Sequence, residues 1–284
     1  MAKSALIKSS IAKKYWMALT GLFLCLFLVG HLLGNLQLIF GSSHDFNDYA
    51  LFMTTNPAVK ILSYLTYFSI LFHAIDGIAL TIQNKKARPI AYAKTNPAAN
   101  SGFASRNMAV LGTLILVFIV THMVNFWARM HFDKNMPLVT KEISQMGNTQ
   151  LMAVGLPGFQ APFFPLDETG KFNAEIIKGN ELTQEDLTTI MDKDGFIVFK
   201  GQKDLYKITV DFFRNPQFGL IATLAYVLAM AVLAFHLWHG FQSAFQSLGI
   251  NNKFTPTIKS FGKIFAVIVP LLFAIIPLYI HFVK

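Results

Sequence analysis

Five long apolar runs dominate this sequence, and each is long enough to cross a lipid bilayer as a helix. Crossing the hydrocarbon core takes about 20 helical residues. With 54% hydrophobic and only 14% charged residues, the chain is too apolar for a water-soluble globule. We therefore predict an all-α membrane protein with five transmembrane helices, at 16–40, 61–82, 108–127, 218–245 and 264–282.

The predicted organisation has three parts. Helices one to three occupy 1–130, a large extramembrane loop occupies 131–216, and helices four and five occupy 217–284. In the loop we predict a strand at 196–200 and a helix at 183–192 with Thr183 as its N-cap, and we assign the loop no chemistry. The sequence shows no evident internal repeat.

Loop charges predict the orientation, because Lys and Arg near span ends are retained on the cytoplasmic side. Three connecting segments are basic, and the connection after the first span has no Lys or Arg until Lys60. This places the N-terminus in the cytoplasm, and the C-terminus and the 131–216 loop outside. The basic residues are Lys3, Lys8, Lys13 and Lys14, then Lys85, Lys86, Arg88, Lys94 and Arg106, then Lys253, Lys259 and Lys263.

Charge and cysteine content exclude several classes of function. The net charge of +9 comes from residues between apolar runs, and these form no basic stripe that would predict a nucleic-acid partner. The single cysteine, Cys25, lies inside the first run. Disulfides, iron-sulfur clusters and covalently attached haem within this chain are thereby excluded. Any cofactor must be held by other residues.

Histidines inside the spans are the strongest functional signal, because ionisable groups at membrane depth are costly. At about 1.5 Å per residue, His31 and His122 both lie roughly 21 to 23 Å above the cytoplasmic span ends. His73 and His236 both lie about 13 to 14 Å above the same face. Two pairs of imidazoles at two levels predict two b-type haems, stacked within the bundle and each held by two histidines.

Polar residues near these histidines are candidates for the haem surroundings. Asn35, Asp76, Asn125 and His239 each follow a histidine by about one helical turn. His239 also competes with His236 as a ligand, but it lies about 4.5 Å closer to the inner surface. Arg129, seven residues after His122, is a candidate partner for a haem propionate, with an interfacial snorkelling arginine as the alternative. Interhelical hydrogen bonding is the alternative for the other polar groups.

The residues around the histidines resemble a known family. The runs LVGHL (28–32), LFHAIDG (71–77), IVTH (119–122) and AFHLWHG (234–240), in this order on five spans, resemble the di-haem cytochrome b subunit of bacterial succinate:quinone oxidoreductases. That subunit is the single-chain membrane anchor of succinate dehydrogenase or fumarate reductase. The stretch 241–256 continues the likeness, which covers nearly all of the membrane portion.

The resemblance implies a role in the respiratory chain and the tricarboxylic acid cycle, in a bacterial cytoplasmic membrane. In the family, His73 and His236 ligate the inner haem iron, and His31 and His122 ligate the outer one. An FAD-containing flavoprotein subunit oxidises succinate, and an iron-sulfur subunit docks on the cytoplasmic face. This chain carries the electron transfer and the quinone chemistry, with menaquinone as the usual quinone. A dimer of the whole complex is a further possibility.

Two features depart from the family pattern. The loop at 131–216 is longer than the short connections expected there. The region near the outer haem, where the resemblance places a quinone site, offers Asn35, Gln37, His44, Asp45 and Asp48 but no glutamate. Two other functions stay open at this point: a di-haem anchor of another respiratory enzyme, such as a hydrogenase or a formate dehydrogenase, and a haem-free proton-relay transporter.

Overall fold

The structure is a computed structural model that describes residues 9–90, 96–145 and 148–284. Lys3, Lys8 and Lys94 of the predicted basic segments lie outside the described residues. Five helices are long and apolar enough to cross a membrane, as predicted. They are α1 (Ser10–Phe40), α3 (Pro57–Lys86), the third span (Met108–Phe132), α10 (Gly219–Ser247) and α11 (Thr255–Phe282).

Several spans extend beyond their predicted ends because polar residues continue the helices. In α3, Asn56 caps the N-terminus: its side chain accepts hydrogen bonds from the backbone N–H groups of Ala58 and Val59, and Pro57 occupies the first turn. The helix α11 begins at Thr255, with Pro256 in its first turn, rather than at 264. Its first turns carry Lys259 and Lys263, which hydropathy alone had excluded from the span.

The third span is not a continuous α-helix. Two short helices, α4 (Pro97–Asn100) and α5 (Phe103–Arg106), precede it. The span itself consists of α6 (Met108–His122), a π-helix (Met123–Ala128) and α7 (Arg129–Phe132). A π-helix has i→i+5 hydrogen bonds and a wider turn than an α-helix, and such segments are frequent at functional sites. The segment therefore breaks the 3.6-residue periodicity immediately after His122.

The described chain divides into two compact units. The first contains most of the helical residues of the five spans, and the second contains 40–52 together with 121–212. In the first unit, α10 packs along α11, where Gly262 lies against Phe241. A Cβ at Gly262 would come within 2.5 Å of the Phe241 ring, so this close approach of the two helices requires glycine.

The second unit corrects the all-α prediction, because it contains two three-stranded antiparallel sheets. One has the order β1 (Thr140–Gln145), β2 (Asn148–Val154), β3 (Phe163–Pro165). The other has the order β4 (Thr183–Asp186), β5 (Thr189–Met191), β6 (Ile197–Lys200). The prediction of a strand near 196–200 is confirmed. The unit also contains the helices α2 (Ser43–Thr55), α8 (Ala174–Gly179) and most of α9 (Leu205–Arg214).

The predicted helix at 183–192 is wrong, and long-range packing explains why. Ile190 pairs with Phe199 across β5 and β6, and both side chains are fully buried. Phe199 meets Phe164 and Phe172 at ring-centroid distances of 5.5 and 5.6 Å, in one apolar core that joins the two sheets. The capping pattern beginning at Thr183 is local, and the burial of Ile190 in this core outweighs it.

A buried asparagine ties α2 into the second unit. The side chain of Asn47, only 2% exposed, donates to Asp204 Oδ1 at 2.8 Å and accepts from the backbone N–H of Tyr206 at 3.0 Å. Its backbone carbonyl accepts from Gln202 Nε2 at 3.2 Å. The sequence predicts candidate quinone residues in this stretch but no helix. In the structure it is a helix whose polar side chain is satisfied by residues more than 150 positions away.

A candidate metal centre around His73 and His236

Two predicted ligands meet in the first unit. The rings of His73 on α3 and His236 on α10 have their centroids 6.2 Å apart, with an angle of 67° between the ring planes. Two imidazoles that share one metal ion, each bonded at about 2 Å, place their ring centres about 6 Å apart. The observed separation is therefore compatible with two imidazoles that would hold one metal ion between them.

Thr20 on α1 orients the His73 ring. Its hydroxyl donates to the Trp16 carbonyl at 2.7 Å and lies 3.2 Å from His73 Nδ1. A hydroxyl has one hydrogen, so towards His73 the oxygen acts as an acceptor and Nδ1–H is the donor. These partners indicate the tautomer of His73 that carries its hydrogen on Nδ1. This tautomer leaves Nε2 of His73 with its lone pair for a ligand bond.

Two glycines on neighbouring helices leave room for the histidine rings. A Cβ added at Gly21 on α1 would lie 3.1 Å from His73 Cε1, closer than normal packing allows. A Cβ at Gly112 on α6 would lie 3.8 Å from His236 Cε1, an ordinary contact. The four helices α1, α3, α6 and α10 therefore all contribute residues at this pair.

These contacts reveal a short internal repeat that was not evident from the sequence. The pattern consists of a methionine four residues before a glycine on one helix, and a histidine four residues before a glycine on the next. In each helix pair the first glycine lies against the histidine, and the methionine lies against the second glycine. The contacts are Gly21 with His73 and Met17 with Gly77, then Gly112 with His236 and Met108 with Gly240.

One nitrogen at the centre lacks a protein partner. Among the described residues, nothing hydrogen-bonds to the buried Nδ1 atom of His236. A buried polar atom of this kind calls for a partner that is not part of the chain, such as a metal-bound group or a water. No cluster of three or more His, Cys, Asp or Glu side chains that could hold a metal occurs in the described part of the chain. Ligation by two histidines does not need one, so the residues at this centre fit a bis-histidine haem.

The other predicted ligand pair, His31 and His122, is divided between the two units. In the first unit, the His31 ring stacks on Phe27 with centroids 5.3 Å apart, and the Phe273 ring lies 5.7 Å away. In the second unit, His122 ends α6, and its ring lies 5.3 Å from Phe126 in the π-helix. The prediction that these two histidines hold one haem stays a prediction.

The predicted haem surroundings have distinct environments. Asp76 is half-buried on α3, one turn after His73, and His239 is half-buried on α10, where it lines a cavity together with Trp238 and Gln242. Of the two histidines on α10, His236 is the one whose ring lies against His73. Arg129 Nε lies 3.6 Å from Asp133 Oδ2, just after the π-helix. The π-helix lies between His122 and Arg129, so their seven-residue spacing does not follow the regular α-helical periodicity, and the contact of Arg129 with a haem propionate stays a prediction.

The predicted quinone residues are divided in the same way. In the first unit, Asn35 Nδ2 donates to the His31 carbonyl at 2.8 Å, and Gln37 is half-buried two residues further along α1. In the second unit, His44 and Asp48 form an exposed pair 3.4 Å apart on α2. Hydrogen bonds from the side chain and backbone N–H of Ser42 hold the pKa of the Asp45 carboxyl below its usual value. The role of these residues in quinone binding stays a prediction.

Three residues at the centre were missed by the sequence analysis: Thr20, Gly21 and Gly112. A signal for the glycines does exist, since Met17 and Gly21 have the same spacing as Met108 and Gly112. Each methionine lies fourteen residues, and each glycine ten residues, before His31 or His122. Thr20 carries no such signal, because its counterpart in the second repeat is Leu111.

No protein-family model matches the chain, and neither the curated proteins nor the solved structures contain a match to it.

Proposed function

We propose that this chain is the membrane anchor and cytochrome b subunit of a bacterial succinate:quinone oxidoreductase, acting as a succinate dehydrogenase or a fumarate reductase. In this role it holds two haem b groups and transfers electrons between an iron-sulfur subunit and a quinone, with menaquinone as the expected quinone. The observation that carries the proposal is the separation of 6.2 Å between the His73 and His236 rings on two apolar helices.

The proposal assigns a role to each part of the inner centre. His73 and His236 would hold the haem iron through one ring nitrogen each, Thr20 holds the His73 tautomer, and Gly21 gives the ring its space. A haem bound there would supply reversible one-electron chemistry. Burial of the centre is one of the factors that would set its redox potential. His31 and His122 are proposed for the outer haem by sequence resemblance and by their matching predicted depth.

The proposal also includes the topology and the partners. The basic connecting segments around Lys85 and Lys253 are assigned to the cytoplasmic side of a bacterial inner membrane by charge. The FAD-containing flavoprotein and the iron-sulfur subunit are proposed to dock on that side, and succinate oxidation takes place in the flavoprotein. Quinone chemistry near the outer haem is assigned to Asn35, Gln37, His44 and Asp48.

Visible spectroscopy of single-histidine variants tests the haem assignment. We expect reduced-minus-oxidised spectra of the purified chain to show two b-type components. His73→Ala and His236→Ala are expected to remove the same component, and His31→Ala and His122→Ala the other one. His239→Ala removes an imidazole one turn away, and we expect it to perturb the inner component without abolishing it, which distinguishes a neighbour of the haem from a ligand. A spectrum without b-type bands, despite a supply of haem, would indicate a haem-free protein such as a proton-relay transporter.

Copurification distinguishes this proposal from anchors of other respiratory enzymes. Mild solubilisation of native membranes should recover the chain with a flavoprotein and an iron-sulfur subunit, together with succinate:menaquinone activity. Recovery with a nickel- or molybdenum-containing subunit, and without a flavoprotein, would instead assign it to a hydrogenase or a formate dehydrogenase.

A further inference from the structure

The two histidines of the candidate metal centre receive unequal support from the chain. His73 Nδ1 lies 3.2 Å from the hydroxyl of Thr20, which itself donates to the Trp16 carbonyl at 2.7 Å. The buried Nδ1 atom of His236 has no hydrogen-bond partner among the described residues. Metal-ligating histidines almost always donate their second ring N–H to an acceptor. At this centre, the described chain supplies that acceptor to one ring only.

The short internal repeat identifies the position that causes the difference. In both helix pairs a glycine of the first helix lies against the histidine of the second, and a methionine one turn earlier lies against the glycine that follows this histidine. Because the two pairs make the same contacts, the residue before the first glycine has the same position relative to the histidine in each. That residue is Thr20 in the pair with His73 and Leu111 in the pair with His236.

Leu111 occupies this position without offering an acceptor. It is only 6% exposed, so it belongs to the packed interior of the first unit. Its side chain has no atom that can form a hydrogen bond. Its backbone N–H donates to the Asn107 carbonyl at 2.9 Å, as in a regular helix. The leucine at 111 therefore accounts for the missing partner of His236 Nδ1 within the described chain.

Support of this kind changes how strongly an imidazole donates electrons to a metal. A hydrogen bond from Nδ1–H raises the basicity of the ligating nitrogen. A more basic ligand stabilises the oxidised metal, which has the higher charge, and so lowers its midpoint potential. Only Nδ1 of the His236 ring is a buried nitrogen without a partner in the described ranges, which leaves Nε2 as the ligating atom.

We propose that Leu111 is a positioning residue of the inner centre, which leaves His236 as the weaker of two ligands and raises the midpoint potential of a haem held there. Leu111 acts only through His236, because leucine has no group that could bind a metal. The effect on a haem rests on the proposed function. The unequal support of the two rings rests on the hydrogen bonds of the chain alone.

Leu111→Thr tests the proposal by supplying the missing acceptor. The new hydroxyl can donate to the Asn107 carbonyl four residues earlier and accept from His236 Nδ1–H. Thr20 has the two equivalent partners in the first repeat. A hydrogen bond of typical strength changes an equilibrium about fivefold. At about 59 mV per tenfold for one electron, the midpoint potential of the inner component should fall by about 40 mV.

Leu111→Val is the reference for this shift, because valine has the shape of threonine without the hydroxyl. Both variants shorten the side chain equally, so their difference measures the hydrogen bond alone. Equal potentials in Leu111→Thr and Leu111→Val would overturn the proposal. That result would also be found if a water molecule already served as the partner of His236 Nδ1.

A double variant provides a second test. Thr20→Val removes the support of His73, and Leu111→Thr adds support to His236, so the double variant moves the single supported ring from one helix pair to the other. We expect its inner component to return to the wild-type potential. The outer component is the internal reference. A double variant with the potential of Thr20→Val alone would contradict the proposal.

Nuclear magnetic resonance of the same full-length samples separates this proposal from the proposed function. In the reduced, diamagnetic protein with isotope-labelled histidine, a hydrogen-bonded Nδ1–H proton resonates downfield of an unpaired one. Thr20→Val should remove one downfield signal, and Leu111→Thr should add another. If b-type bands are absent and the signals still respond in this way, the unequal support stands and the proposed function fails. If the bands are present and Leu111→Thr changes neither signal nor potential, the proposal for Leu111 fails and the proposed function stands.

Discussion

The substitution Gly21→Ala provides the most direct test of the centre around His73. The added Cβ would lie 3.1 Å from His73 Cε1 and 3.5 Å from its Nδ1. Carbon atoms pack at about 3.5 to 4.0 Å, so the ring must move by at least about 0.4 Å. A metal–nitrogen bond tolerates about 0.2 Å. The required shift therefore exceeds what a shared ion between His73 and His236 can absorb.

The expected result is a selective loss of the inner haem. Overpacking of this kind costs about 1 to 3 kcal/mol, and 1.4 kcal/mol corresponds to a factor of about ten in affinity. At limiting haem we therefore expect the inner b-type component to fall by about tenfold or more relative to the outer one. The assay is a redox titration followed by difference spectroscopy, which measures the two components separately.

Two matched variants make this result interpretable. Gly112→Ala adds a Cβ at an ordinary distance of 3.8 Å from His236, and Gly30→Ala adds one with nothing within 4 Å. All three substitutions replace glycine by alanine, which raises helix propensity by about 1 kcal/mol, so weakening of the helix cannot explain a loss. A wild-type inner component in Gly21→Ala, or an equal loss in Gly112→Ala, would refute the assigned geometry.

Three further predictions follow from individual hydrogen bonds. Thr20→Val should raise the midpoint potential of the inner haem by about 40 mV. This value follows from a hydrogen bond to His73 worth about 1 kcal/mol and from about 59 mV for each tenfold change in a one-electron equilibrium constant. Thr20→Ser should restore the potential, and an unchanged potential in Thr20→Val would contradict the role of Thr20. Asn47→Ala should destabilise the second unit by about 2 kcal/mol in thermal unfolding, because Asp204 and a backbone N–H lose a buried partner. The control Ser144→Ala, at an exposed position, should change stability by less than about 0.5 kcal/mol. At Asp186, burial raises the carboxyl pKa, but hydrogen bonds from Thr188 and Thr189 outweigh it and hold the pKa below 3.8. The stabilisation from Asp186 is therefore full above pH 3.8 and is lost as pH falls through the lower pKa of the folded state. Asp186→Asn should flatten this dependence of stability on acid pH in unfolding titrations.

The sequence predicted which residue types lie at one level of the helices, but not which side chains surround them. The depth of His73 and His236 in two apolar runs predicted a common level, and the structure places their rings within 6.2 Å of each other. Thr20 could not be predicted as the partner of His73, because 53 positions separate them and one sequence does not show which helix faces pack together. The π-helix after His122 was also beyond prediction, since no composition rule indicates it.

The sequence by itself determined that five apolar helices form, because a run of about 20 apolar residues has few other stable arrangements in a membrane. It also determined which histidines lie within these apolar helices. Tertiary structure alone decided that 183–191 forms strands, because burial of Ile190 against Phe199 outweighs a local capping pattern. It also decided that Gly21 lies against His73. Helix formation depends on hydrogen bonds four residues apart, whereas strand pairing and helix packing depend on residues that only the folded chain brings together.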